Sequence, residues 1–192
     1  VFALEFENAR SMAERNLLYM EGQYLYLNCP HVSKWEWHPF TISSAPDDEV
    51  LTVNIRVMPD AASWTSKVCR YLQRLNPHDQ PSVVLSRRDQ ATGALADGKV
   101  RGPDGKILFR IDGPFGAPAQ HFFNYRVAML VGAGIGVTPF ASILRGLVRY
   151  HWIKGFKPAH IHFYWVARKT DVLTFRWLLL MLPGLKRLEH EY

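Results

Sequence analysis

The chain has 192 residues and a net charge of +6, with 48% hydrophobic and 21% charged residues. This is an ordinary globular composition, long enough for one large or two small domains; its two cysteines, Cys29 and Cys69, lack a C-x-x-C and make no disulfide framework, which fits a reducing compartment. The spread of basic residues, densest at Arg87-Arg88 and Lys99–Arg110, suits phosphate-bearing cofactors or an anionic membrane face and disfavours nucleic acid, for which no recognition motif accompanies the charge.

Phe2, Leu4 and Phe6 alternate with other residues, as in a half-buried strand. Gln23–Cys29 is a second strand, and His38–Ser44 is extended, because the residues before Pro39 are biased toward β. After the turn Pro46-Asp-Asp-Glu49, Val50–Val57 is a strong strand with Leu51, Val53, Ile55 and Val57 on one face and Asn54 and Arg56 on the other. Ser63 to Leu75 has helical spacing through Trp64, Val68, Tyr71, Leu72 and Leu75, and Asn76-Pro77 ends it. Residues 89–106 are rich in Gly, Asp, Lys and Arg and read as a loop; Ile107–Asp112 is the next strand and Gly113-Pro-Phe-Gly116 a turn. These short strands predict a small antiparallel barrel.

Beyond a boundary near Ala117–Asn124 the pattern changes. Val127–Val131, a helix from Thr138 to about His151, the strand Ile161–Ala167 and a helix near Leu173–Leu182 make a β-α-β-α series, the start of a parallel sheet. The longest apolar run, Leu178–Leu182, stops at Pro183, far short of the ~18–20 residues that span a bilayer, and no signal peptide is visible. The chain opens directly on a strand and ends, over Lys186–Tyr192, without a stop signal, so a piece of a longer protein is expected.

The most informative stretch is Val131-Gly-Ala-Gly-Ile-Gly-Val-Thr-Pro-Phe140, a strand, a glycine turn and a helix start. Such a turn aims backbone N–H groups at a phosphate. Gly132 and Gly134 fit G-x-G, but a third glycine would fall at Val137, and Gly136 stands one place early. Pro139 suits a first helical turn, and Thr138 before it is a candidate N-cap. The same glycines would equally serve a turn that only packs a strand against a helix.

Four segments together carry a resemblance. Trp35-Glu-Trp-His-Pro-Phe-Thr-Ile-Ser-Ser-Ala-Pro46, Asp112-Gly-Pro-Phe-Gly116, Leu130-Val-Gly-Ala-Gly-Ile-Gly-Val-Thr-Pro-Phe-Ala-Ser-Ile-Leu144 and Phe163-Tyr-Trp-Val-Ala-Arg168 occur in the order of the landmarks of the NADPH oxidase family. The chain resembles the cytosolic dehydrogenase region of that family over essentially its whole length. The resemblance implies an α+β two-domain fold like that of ferredoxin–NADP reductases: an antiparallel β-barrel FAD domain over residues 1–118, then a partial α/β parallel-sheet NADPH domain over residues 119–192.

It also implies roles. His38, Pro39, Phe40 and Thr41 form the FAD strand: His38 for the pyrophosphate, Phe40 as a flat face for the isoalloxazine, Thr41 for its reactive nitrogen. Arg56 and Thr65 face the pyrophosphate, where a planar guanidinium suits phosphate. Before Trp64-Thr65 this chain replaces the family's glycine-aspartate with the longer Pro59-Asp-Ala-Ala-Ser63. Gly132, Gly134, Gly136, Thr138, Pro139 and Phe140 bind NADPH. Arg168 and Lys169 stand where an NAD-preferring fold places an acid, and on charge they favour a 2′-phosphate; the family has Arg-Asp there, so Lys169 is a departure. No acid, base or nucleophile is required, because hydride transfer needs positioning, and His160 and His162 lack a third metal ligand.

The function implied is passage of a hydride from NADPH to FAD and of electrons to membrane haems that reduce O2 to superoxide, the haem-bearing helices lying outside this chain. Regulatory proteins and a place at the cytosolic face of a membrane are implied with it. A ferric- or cupric-chelate reductase and a non-catalytic NADPH-sensing module are the rival expectations. The family's Cys-Gly motif near the nicotinamide and its terminal aromatic do not occur by Tyr192, which predicts weak FAD binding and little turnover by these residues alone.

Overall fold

The computed structural model describes residues 1–7, 19–48, 50–76, 78, 99–102, 105–150 and 157–185. The basic pair Arg87-Arg88, Pro77, most of the expected loop over 89–106 and the end Lys186–Tyr192 lie outside the described residues.

The first part is two antiparallel sheets around one core. β1 (Phe2–Glu7) pairs with β4 (Val50–Ile55), and β3 (His38–Thr41), β2 (Tyr24–Asn28), β6 (Ile107–Phe115) and β5 (Lys99–Arg101) form the second sheet in that order. A bridge between Ile42 and Val53 joins the two sheets. Leu25, Leu27, Cys29, Ile42, Val53 and Ile55 fill the space between them, each at most 2% exposed. Helix α1 (Trp64–Arg74) closes this core with Trp64 and Val68, and Ser63 caps it by accepting a bond from the Ser66 N–H.

Three local features depart from the sequence-based expectation. Lys99–Arg101, expected in a loop, is a short strand, because Val100 between its two cations is buried against the core. The expected turn at Gly113 is instead the continuation of β6 to Phe115. Pairing shifts register between Tyr24 and Tyr26, and Gly113, at φ +130°, absorbs the irregularity where an added Cβ would stand 3.2 Å from Leu25. The polar face of β4 is covered as well: Thr52 and Asn54 are both 7% exposed. Asn54 Nδ2 donates to Ser43 Oγ at 2.7 Å, and the Thr52 N–H donates to Ser44 Oγ at 2.9 Å.

A 3₁₀ segment, Pro118–Asn124, leads into the second part. There β7 (Val127–Ala133) pairs in parallel with β8 (His160–Val166), and α2 (Thr138–Tyr150) connects them. Strict alternation on β7 buries Ala128, Leu130 and Gly132 on one face. That face packs with Ile143 and Leu144 of α2 and with Ile161 and Phe163. The opposite face carries Val127, Met129, Val131, Tyr164 and Val166, all more than half exposed. The expected helix near Leu173–Leu182 is a 3₁₀ segment, Lys169–Phe175, followed by the short α3 (Arg176–Leu179).

Candidate functional site

β3 divides its four residues between two faces. Phe40 pairs with the buried Leu25 and His38 with Leu27, so both rings turn toward the core side of the sheet. There His38 stacks on the Trp64 ring at 4.5 Å and Phe40 lies near-parallel to it at 5.8 Å. Both remain half-exposed, and His38 Nε2 lies 3.4 Å from Glu36 Oε2. Pro39 pairs with Tyr26 and Thr41 with Tyr24, on the other face. Tyr24, Tyr26 and Phe115 make an aromatic triad on that side, with ring centres 5.5–5.7 Å apart. Thr65 is occupied locally: its Oγ1 accepts the Met58 N–H at 3.1 Å.

The glycine turn gives each glycine a different reason. A Cβ on Gly132 would stand 3.2 Å from Val137 Cα and 3.3 Å from the Phe140 ring, so this position lets the strand and helix meet. Gly134 adopts φ +50°, and its carbonyl accepts the Trp165 indole N–H at 3.1 Å. A Cβ on Gly136 would meet nothing within 4 Å. The chain leaves β7 through a 3₁₀ turn, Gly134–Val137, whose start has no side-chain cap. Thr138 is not the N-cap that the sequence predicts. It already has helical dihedrals, and its Oγ1 donates back to the Ile135 carbonyl at 3.1 Å. Pro139 follows in the first turn, where its missing N–H leaves no gap. Phe140 packs into the core beneath the turn.

Two arginines meet at one acid. Arg168 and Lys169 are exposed just past the end of β8. Arg168 Nε donates to Asp171 Oδ2 at 3.2 Å, and Arg56 Nη2 reaches the same oxygen at 3.7 Å. Arg56 Nη1 also stands 3.8 Å from where a Gly134 Cβ would lie. Arg56, the residue just past β4, therefore sits at the glycine turn of the second part.

A further joint was not visible in the sequence. Ser142 Oγ of α2 donates to the Ser44 carbonyl at 2.6 Å, and Arg145 Nη1 pairs with Asp48 Oδ2 at 3.0 Å. Asp48 Oδ2 also accepts the Ala45 N–H, and Tyr19 bonds to Ser44 Oγ and to the Ala45 carbonyl. Burial pushes the Tyr19 phenol far above its usual range, against the opposing bond from Ser44. Burial likewise pushes up the Cys29 thiol in the barrel core, while Cys69 is half-buried.

The two regions fit two different ligands. The first offers the half-exposed rings of His38 and Phe40 on one face of β3 and the Thr41 hydroxyl on the other, groups of the kind that suit a flat heteroaromatic with a phosphate tail. The second offers an uncapped turn, open space before Gly136 and cations beyond, a set suited to a phosphorylated dinucleotide.

Comparison with known proteins agrees with this division. A family model described as an FAD-binding domain matches residues 4–119, and one described as a ferric reductase NAD binding domain matches residues 125–191. A superoxide-generating NADPH oxidase heavy chain of Dictyostelium discoideum is 38% identical over 184 residues, covering 94% of this chain and 32% of that protein. NADPH oxidase 1 of Mus musculus is 36% identical, covering 92% of this chain and 25% of its own length. Respiratory burst oxidase homolog protein D of Arabidopsis thaliana is also 36% identical, at 90% and 19%. The chain thus spans about a third or less of these relatives. Ferredoxin–NADP+ reductase of Plasmodium falciparum shares the fold, with a TM-score of 0.50 at 16% identity over 86% of this chain and 55% of that one. A variant of that enzyme with 2′P-AMP gives 0.51 at 14% identity, over 87% and 55%.

Proposed function

The chain belongs to the FAD-binding domain family and runs on into a ferric-reductase-type NAD-binding domain, and from that premise we propose that it is the dehydrogenase region of a superoxide-generating NADPH oxidase. The observation that carries this is the fastening of two cofactor regions into one body: the segment after the flavin strand is bonded, Ser142 Oγ to Ser44 carbonyl at 2.6 Å, to the helix that begins at the glycine turn. The FAD domain is taken as residues 1–118 and the NADPH domain as 119–192.

FAD bound at β3 supplies hydride acceptance and release of electrons one at a time. His38, Pro39, Phe40 and Thr41 hold it, with Trp64 fixing the His38 and Phe40 rings from behind. Thr65 lends its place at the start of α1, its hydroxyl being engaged by Met58. Gly132, Gly134 and Gly136 bring the turn's N–H groups to the NADPH phosphates, with Thr138, Pro139 and Phe140 securing the helix start beneath them. Arg168 and Lys169 take the 2′-phosphate. Arg56, beside Gly134 and Asp171, would serve as counter-charge to a cofactor phosphate there. These groups bind and orient; none is required to move a proton.

In the whole protein this region would lie at the cytosolic face of a membrane and supply electrons to membrane haems that carry them across to O2, under regulatory partners. Among the described residues no helix is long and apolar enough to cross a bilayer. A chelate reductase for ferric or cupric ions is the second reading, favoured by the description of the matched NAD-binding domain.

The test uses the full-length protein. Flavin absorbance is followed under nitrogen while NADPH is added, and superoxide release is then compared with ferric-chelate reduction in air. Bleaching followed by superoxide is the expected result. Bound flavin that NADPH never bleaches would leave only a sensing module, and ferric-chelate reduction without superoxide would replace the oxidase with the reductase.

A further inference from the structure

Asp171 is engaged on both carboxylate oxygens beside the glycine turn. Its Oδ1 accepts the Thr170 hydroxyl at 3.3 Å. Its Oδ2 takes Arg168 Nε at 3.2 Å and faces Arg56 Nη2 at 3.7 Å. Its own N–H closes the turn onto the Arg168 carbonyl at 2.9 Å. An exposed ion pair three residues apart contributes little stability by itself. What this one does is geometric. It grips Arg168 by the inner nitrogen, and among the described residues nothing bonds the two terminal nitrogens of a side chain that is 73% exposed.

We propose that Asp171 is a positioning residue for dinucleotide selectivity: it holds Arg168 by Nε with its terminal nitrogens presented to a ribose 2′-phosphate. The inference rests on the reading that NADPH binds this turn with Arg168 at the 2′-phosphate. An arginine has many rotamers, and ordering it on binding lowers affinity; a guanidinium already held loses less. The 2′-phosphate is the group that NADPH has and NADH lacks. Asp171 therefore acts on NADPH and leaves NADH alone.

The experiment measures flavin reduction in the full-length protein with NADPH and with NADH, for the wild type, Asp171→Asn, Asp171→Glu, Arg168→Ala and the Asp171→Asn/Arg168→Ala double variant. Asp171→Asn is expected to raise KM for NADPH roughly tenfold, the scale of a lost charge-assisted contact, and to leave KM and kcat for NADH within about twofold. Asp171→Glu recovers part of the loss, and the double variant is no worse than Arg168→Ala alone, as coupled residues require. Thermal unfolding midpoints and flavin content matching the wild type show that each variant is folded. If Arg168→Ala abolishes the NADPH preference and Asp171→Asn does not, the inference is overturned while the Arg168 assignment stands. A lower KM for NADPH in Asp171→Asn also overturns it, making Asp171 a competitor of the phosphate. Equal losses with both dinucleotides overturn it in favour of a purely structural role. If Arg168→Ala itself leaves the preference intact, the underlying reading fails and this inference with it.

Discussion

The Tyr19 phenol ties its own segment to Ser44-Ala45, and its proton is part of the joint. It donates to the Ala45 carbonyl at 2.6 Å and meets Ser44 Oγ at 2.8 Å. Burial, then the nearby Asp48 and Glu21 carboxylates, raise its pKa above the ordinary value of 10.0, against the Ser44 bond and Arg145. The folded state thus prefers the neutral phenol. Its contribution is complete below about pH 10 and is lost as the pH climbs past the unfolded value. Tyr19→Phe should lower stability by about 1 kcal/mol near neutrality and flatten the decline at alkaline pH. Urea midpoints at neutral pH and above the tyrosine value, for both proteins, check this. At this scale the contiguous motifs were legible as motifs: His38–Thr41 and Gly132–Phe140 each fall within a few residues, and the proposed cofactor roles follow from them. Arg56 was singled out in the sequence as a candidate for a phosphate. Its position against Gly134 was not legible, because that depends on Asp171 far along the chain.

Among the elements, α1 is where sequence and structure agree most closely, since Ser63 supplies both the predicted start and the observed cap. Its hydroxyl accepts the Ser66 N–H at 3.3 Å, and Trp64, the first helical residue, backs His38 and Phe40. Ser63→Ala is expected to remove about 1 kcal/mol of stability and to loosen the rings against which FAD would lie. Ser63→Thr or Ser63→Asp should retain the cap. Thermal unfolding and FAD affinity, measured together, check both halves. α2 illustrates the opposite outcome. Thr138-Pro139 looks like a cap followed by a first helical residue, but the chain enters the helix through a 3₁₀ turn that places Thr138 inside. Local sequence preferences describe a helix end; they do not describe how the preceding turn leaves a strand. The bulge at Gly113 was illegible for the same reason, since a register shift belongs to two strands at once.

For the whole molecule, the decisive contacts are those between the barrel and the nucleotide half. Ser142–Ser44 and Arg145–Asp48 lie side by side, the ion pair partly shielded with side-chain exposures of 34% and 17%. They fix the distance between the two candidate sites, across which the proposed reaction would carry a hydride. Ser142→Ala leaves the buried Ser44 carbonyl without this donor and is expected to cost about 1–3 kcal/mol. Combined with Arg145→Ala it should slow flavin reduction by NADPH more than it weakens binding of either cofactor. Single-turnover rates beside equilibrium affinities check this; equal losses in rate and binding would point to general unfolding. The sequence legibly announced two domains and their order. It could not announce their joint, because residues 97 positions apart share no periodicity.

The bare side of the β7–β8 pair has a thermodynamic consequence. Parallel strands are ordinarily covered on both faces, yet here Val127, Met129, Val131, Tyr164 and Val166 stand more than half in water. Water ordered around such a surface raises the heat capacity of the chain. Whatever comes to rest on that side lowers it again, and near room temperature does so on an entropic drive that weakens on cooling. Calorimetry would read contact at this face as a change in heat capacity before any change in enthalpy.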